Sequence, residues 1–113
     1  MAEDPVVSNP DHYRVVFEND RVRVLDYTDR PGDRTVPHRH PDSVMYTLTE
    51  FDRRLGSGDR TQDVHLEAGL VRWLGAQEHW GENTGSTSTH VVLVELKEPG
   101  VAAPGSAVLG PSE

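Results

Sequence analysis

Hydrophobic and polar positions alternate along this chain in short runs, each cut off by turn-forming residues. Residues 13–17 (YRVVF) and 22–27 (VRVLDY) are two such runs. Asn19-Asp20 lies between them, so they are predicted to form a hairpin. Arg30-Pro31-Gly32-Asp33 breaks the pattern, and a short extended piece over 35–40 ends at Pro41-Asp42. Residues 44–48 (VMYTL) are dense in strand formers. Phe51, Arg53 and Leu55 alternate with polar neighbours and run into the turn Gly56-Ser57-Gly58-Asp59. Residues 63–66 return, Glu67-Ala68-Gly69 turns again, and 70–74 (LVRWL) is the next strand. Residues 75–85 read as a longer loop, and 90–96 is the most hydrophobic strand. No 3.6-residue pattern is bracketed by helix start and stop signals, and no fixed-period repeat is present. About eight short strands with turns between them predict an all-β fold, a sandwich, jelly roll or barrel. The expected organisation is a loose N-terminal arm over 1–12, a single domain over 13–97, and a disordered tail over 98–113, rich in Pro, Gly, Ala and Ser.

Composition narrows the function classes. The 113 residues suit one domain. A hydrophobic share of 35% is low, so part of the chain is expected to be tail, or a partner subunit completes the burial; a homodimer is expected. A formal charge of −8 repels phosphate backbones and anionic lipid, so neither nucleic acid nor membrane is an expected partner. The absence of cysteine removes disulfides, thiolate zinc sites and thiol nucleophiles, and leaves histidine and carboxylate as metal ligands. Residues 1–10 show neither the basic nor the apolar region of a signal peptide, and no run reaches membrane-spanning length. A cytoplasmic location is expected.

Histidines carry the candidate chemistry. His38 and His40 are separated by Arg39 alone, and on a strand residues two apart share a face. Both imidazoles can then chelate one ion while Arg39 points away. A third imidazole from another strand, His79, would complete a facial three-nitrogen set with open positions for water or substrate.

The surroundings of these histidines resemble the cupin superfamily over residues 13–97. Gly32, five residues, His38, one residue and His40 match the opening of the first cupin motif. His79-Trp80-Gly81-Glu82-Asn83 matches the end of the second, with Gly69 ten residues before His79. Two predicted strands and a turn separate the segments, as that family expects. The resemblance implies a cupin-type double-stranded β-helix, a jelly-roll barrel, and is similar overall to small single-domain three-histidine cupins of the β-alanine degradation protein and β-diketone dioxygenase type. Two departures stand out. Where the first motif usually carries a glutamate, four or five residues after its second histidine, this chain has Val44 and Met45. The Pro-x-Gly of the second motif is replaced by Leu74-Gly75-Ala76. The resemblance therefore implies three histidine ligands without a fourth carboxylate, and Asn83 as a turn-stabilising residue.

Three neutral imidazoles leave a site charge of +2 around a divalent ion, which favours an anionic or dicarbonyl small-molecule substrate. Nitrogen ligands suit Fe(II), Ni(II), Cu(II) and Zn(II). The resemblance points to Fe(II) and to a dioxygenase acting on a small dicarbonyl or organic acid. The alternatives are a Zn-, Ni- or Mn-dependent lyase, isomerase or hydrolase, and a non-catalytic ligand- or metal-binding module. The pocket is sketched with Val44, Tyr46 and Leu48 on one strand face and Phe51, Trp73 and Trp80 as aromatic wall. Tyr46 is a candidate hydrogen-bond donor to a bound oxygen. Arg72, read as a buried arginine, is a candidate for a substrate carboxylate or for pairing with Glu95. Glu82 is a candidate general base or a group orienting an imidazole. His90 is a candidate second-layer group, and His12 and His65 are expected to face solvent.

Overall fold

The structure is a computed structural model and describes residues 3–97. The expected tail over 98–113 lies outside the described residues. Among the described residues, nine strands follow one short helix: α1 (Pro5–Ser8), β1 (Tyr13–Glu18), β2 (Val22–Asp29), β3 (His38–His40), β4 (Ser43–Thr47), β5 (Phe51–Ser57), β6 (Arg60–Leu66), β7 (Val71–Leu74), β8 (Gln77–Asn83) and β9 (Thr89–Leu96). They form a five-stranded sheet in the order β1-β2-β9-β4-β7 and a four-stranded sheet in the order β3-β8-β5-β6. Every strand pairing is antiparallel. This is a jelly roll, the all-β architecture that the alternation and turn signals predict.

Period-2 alternation explains the core. Tyr13, Leu25, Tyr27, Phe51, Val91 and Leu93 are buried between the sheets, with Met45, Leu66 and Leu74 packed against them. Turns fall at glycine: Gly58 (φ 62°) closes the β5–β6 hairpin and Gly69 (φ 80°) precedes β7, both in the left-handed region that other residues avoid.

The structure departs from the sequence reading in three places. Residues 3–12 are folded onto the barrel: Asp4 caps α1 by accepting from the Val6 amide, and Pro5 and Asn9 are buried. Asn9 Oδ1 accepts from the Val36 amide at 2.8 Å, and the Arg39 amide donates to the Glu3 carbonyl at 2.8 Å. Glu3 thus bridges alongside His38 and covers the β3 edge within one chain. Secondly, the predicted loop over 75–85 contains β8. Thirdly, the buried arginine is Arg53 and not Arg72. Arg53 is 8% exposed and pairs with Asp29, a contact supported by Tyr27, Thr89 and Asn83. Burial, the largest single influence, would raise the Asp29 carboxyl, but the Arg53 charge and the hydrogen bonds from Tyr27, Arg53 and Asn83 together hold it below its ordinary value.

Candidate metal centre

β3 and β8 assemble the centre through register. His38 and His40 are inward and buried, while Arg39 between them is exposed. β8 runs antiparallel to β3 with His38 directly opposite His79, and residues directly opposite project to the same side. All three imidazoles therefore face the barrel interior. Their ring centroids are 4.8 Å (His38 to His40), 4.9 Å (His38 to His79) and 5.1 Å (His40 to His79) apart, and one ligand atom from each lies within 4.8 Å of the others.

Acceptors behind the rings fix their tautomers. His38 Nδ1 faces the Val36 carbonyl at 2.8 Å, His79 Nδ1 faces the Gln77 amide oxygen at 2.7 Å, and His40 Nδ1 faces the Glu95 carboxylate at 3.5 Å. With the ring proton on Nδ1 in each case, the three Nε2 lone pairs are free to converge, and the partners hold the ring planes in place. Glu95 is itself buried and tied to Arg23 at 2.7 Å. Burial lowers His38 to about 4. Burial, then repulsion from His40 and His38, lowers His79 to about 3. Both rings are neutral at pH 7, as metal ligands must be. A three-nitrogen donor set of oriented imidazoles fits a divalent transition ion.

The rings open into a cavity of about 100 Å³ whose walls include Met45, Phe51, Leu74 and Leu93. Tyr13, which begins β1, also lines it. The Tyr13 hydroxyl stands 3.2 Å from His38 Nε2 and 3.3 Å from His40 Nε2. Burial, then the neighbouring Tyr27, raises its pKa well above the ordinary phenol range, so the hydroxyl keeps its proton when nothing else draws on it.

The three residues named from sequence for substrate chemistry are not in this cavity. Tyr46 is exposed on the outer face of β4; the inward residues of that strand are Ser43, Met45 and Thr47, so the face assigned to the pocket is the opposite one. Arg72 is exposed, and its guanidinium donates to the Val71 carbonyl; Glu95 pairs with Arg23 instead. Glu82 lies three residues after His79 on one strand, which puts it on the opposite face of β8. Trp73 is on the outside, and Trp80 lies beneath the Arg34 guanidinium. Of the pocket wall, Phe51 is where the alternation puts it. His90 bonds Asp26 at 2.7 Å, away from the centre, and His65 sits between Glu50 and Asp52 in an exposed group. Asn83 pins the turn after β8 by donating to the Thr87 carbonyl. Tyr13, Glu95, Gln77 and Arg53 are the residues sequence reading missed. The signal for Tyr13 was its inward phase on β1; nothing local marks the other three.

Among known proteins, no family model and no curated protein matches the chain. Solved structures do. A cupin-domain protein from Bordetella pertussis is 28% identical, covers 75% of this chain and 91% of its own, and superposes with a TM-score of 0.70. An uncharacterised protein from Klebsiella pneumoniae with a double-stranded β-helix domain is 23% identical, over 78% of each chain, at a TM-score of 0.59. An RmlC-like cupin from Methanocaldococcus jannaschii is 10% identical, over 74% of this chain and 77% of its own, at 0.61.

Proposed function

Since the chain belongs to the cupin superfamily, we propose that it is a mononuclear three-histidine metalloenzyme, an Fe(II) dioxygenase acting on a small dicarbonyl or organic acid. The observation that supports this best is the convergence of three individually oriented imidazoles, those of His38, His40 and His79, on one apolar cavity. Fe(II) held there would supply a redox centre for dioxygen and a positive anchor for an anionic oxygen ligand. His38, His40 and His79 would hold the ion. Val36, Glu95 and Gln77 keep each ring in the donating orientation. Met45, Phe51 and Leu93 exclude bulk water, so polar contacts inside act at low dielectric. The cavity has room for a ligand of only a few heavy atoms, which favours a small acid over a bulky substrate.

The test is elemental analysis of untagged protein, followed by oxygen uptake with small dicarbonyls and organic acids. About one equivalent of metal is expected, lost when His38, His40 or His79 becomes alanine. Iron together with substrate-dependent oxygen uptake supports the dioxygenase. Zinc, nickel or manganese without uptake turns the assignment to Lewis-acid lyase, isomerase or hydrolase chemistry. Metal without any turnover leaves a binding module. No metal after anaerobic reconstitution with Fe(II), Mn(II), Ni(II) and Zn(II) removes the proposal.

We also propose a homodimer, formed through the outer face of the five-stranded sheet. Register aligns Phe17, Val24, Val94, Val44 and Trp73 in one row across all five strands. Val92, Tyr46 and Val71 continue it in the next row. Trp73 is 61% and Val71 60% exposed. An apolar band that spans a whole sheet and is flanked by Arg14, Asp26 and His90 has the make-up of an interface. A second copy supplies an identical band, so a two-fold axis through the face brings apolar rows onto each other.

A further inference from the structure

Tyr13 holds the most informative side chain outside the three histidines. It is 7% exposed, and among the described residues its hydroxyl has two hydrogen-bond partners, His38 Nε2 and His40 Nε2. At His38 Nδ1 the Val36 carbonyl at 2.8 Å is nearer than the Asn9 amide nitrogen at 3.3 Å, and at His40 Nδ1 the Glu95 carboxylate accepts at 3.5 Å, so the ring protons sit on Nδ1. Both Nε2 atoms therefore turn lone pairs toward the phenol oxygen. A hydroxyl has one proton and can satisfy one of these lone pairs. The other faces an oxygen lone pair at little more than 3 Å, in a buried place where an unmet acceptor is costly. One cation bound by all of these atoms removes the conflict. The Tyr13 ring is set against Tyr27, centroids 4.6 Å apart, so it is held by packing on the core side.

Resting on the metal-centre reading above, we propose that Tyr13 is the fourth protein ligand of the centre, its phenol oxygen joining Nε2 of His38, His40 and His79. The phenolic proton passes to solvent as the oxygen–metal bond forms, so the ligand is a phenolate. The consequence is electrostatic. The first motif lacks its usual glutamate at Val44 and Met45, and three imidazoles alone would leave a divalent site at +2. A phenolate brings it to +1, the charge that a glutamate ligand would give. The anion comes from β1 instead of β4.

The experiment loads the full-length metal-free protein with one equivalent of Fe(III) or of Cu(II), and records elemental content and the visible absorption spectrum. Phenolate ligation gives a ligand-to-metal charge-transfer band that imidazoles and solvent do not. The expected result is one equivalent of metal and such a band in the parent protein, and retained metal with the band gone in Tyr13→Phe. A band of equal strength in Tyr13→Phe, or a loaded parent protein without the band, overturns the proposal and leaves the three-histidine centre standing. A parent protein that binds no metal overturns both. If Tyr13→Phe does not fold, Tyr27→Phe/Tyr46→Phe leaves Tyr13 as the sole tyrosine of the three in the chain. Tyrosinate modes in its resonance Raman spectrum then support the proposal, and their absence overturns it.

Discussion

At the residue scale, the candidate centre keeps His38 and His79 uncharged. An unfolded histidine titrates near 6.5, whereas burial takes His38 to about 4 and His79 to about 3. Between those values the unfolded chain binds protons that the folded chain refuses. Stability of the metal-free protein therefore rises with pH across this window: the contribution is fully present above about pH 6.5 and is lost as pH falls through the folded values. We expect the urea midpoint of metal-free protein to drop between pH 7 and pH 5, and His38→Gln/His79→Gln to flatten that dependence. A midpoint that does not move in the parent protein would mean that the rings charge in place. Individual residues were also where sequence was least legible. His38 and His40 announce themselves by spacing, but a partner such as Glu95 is brought to His40 by the β4–β9 pairing, more than fifty residues along the chain. The exchange between the arginines has the same origin. Arg72 stands in an apolar run and is exposed, while Arg53 stands in a polar one and is buried with Asp29. Hydropathy of neighbours does not report which strand face a sheet covers.

At the element scale, β8 shows why a strand can be invisible in a hydrophobic pattern. Its inward positions from His79 onward are His79, Gly81 and Asn83: a candidate ligand, a residue that must be small, and a network donor. None is apolar, so the alternation that predicts the other strands is missing where the site is built. Gly81 is held small by Arg53, whose Nη2 would lie 2.4 Å from an added Cβ. The neighbouring strand carries a stricter case. At Gly56, paired with Trp80 in the β5–β8 ladder, an added Cβ would come 2.1 Å from the indole ring, which is pressed from beyond by Arg34, 3.9 Å from its centroid. A rigid ring so placed cannot move aside cheaply. Gly56→Ala is expected to cost about 1–3 kcal/mol by overpacking and to loosen β8, whereas Gly75→Ala, where an added Cβ meets only Trp73 at 3.9 Å, stays within about 0.5 kcal/mol. Equal denaturation midpoints for the two variants would show that the Trp80 stack is not fixed.

At the scale of the whole molecule, the fold was legible because turns and alternation recur through most of the chain, and a jelly roll needs little more than strands of the right number and phase. The location of apolar surface was not. Alternation gives two faces for each strand, and the sequence reading gave Val44 and Tyr46 to the interior; Ser43, Met45 and Thr47 took it instead, which moved an apolar row to the outside. The low hydrophobic share belongs with this arrangement, since part of that share is spent on the outer band. The N-terminal arm, expected to be loose, is committed to its own β3 edge through Glu3 and Asn9, so association falls to the sheet face. Trp73 is the largest and most exposed side chain in the band, and interface energy concentrates in residues of that kind. Trp73→Lys places a charge where the two rows would meet. We expect sedimentation or light scattering at micromolar concentration to give a dimer for the parent chain and a monomer for Trp73→Lys, with one equivalent of metal retained in both because the histidines lie on the other sheet. A parent chain that sediments as a monomer removes the dimer, and a Trp73→Lys variant that stays dimeric moves the interface to another face.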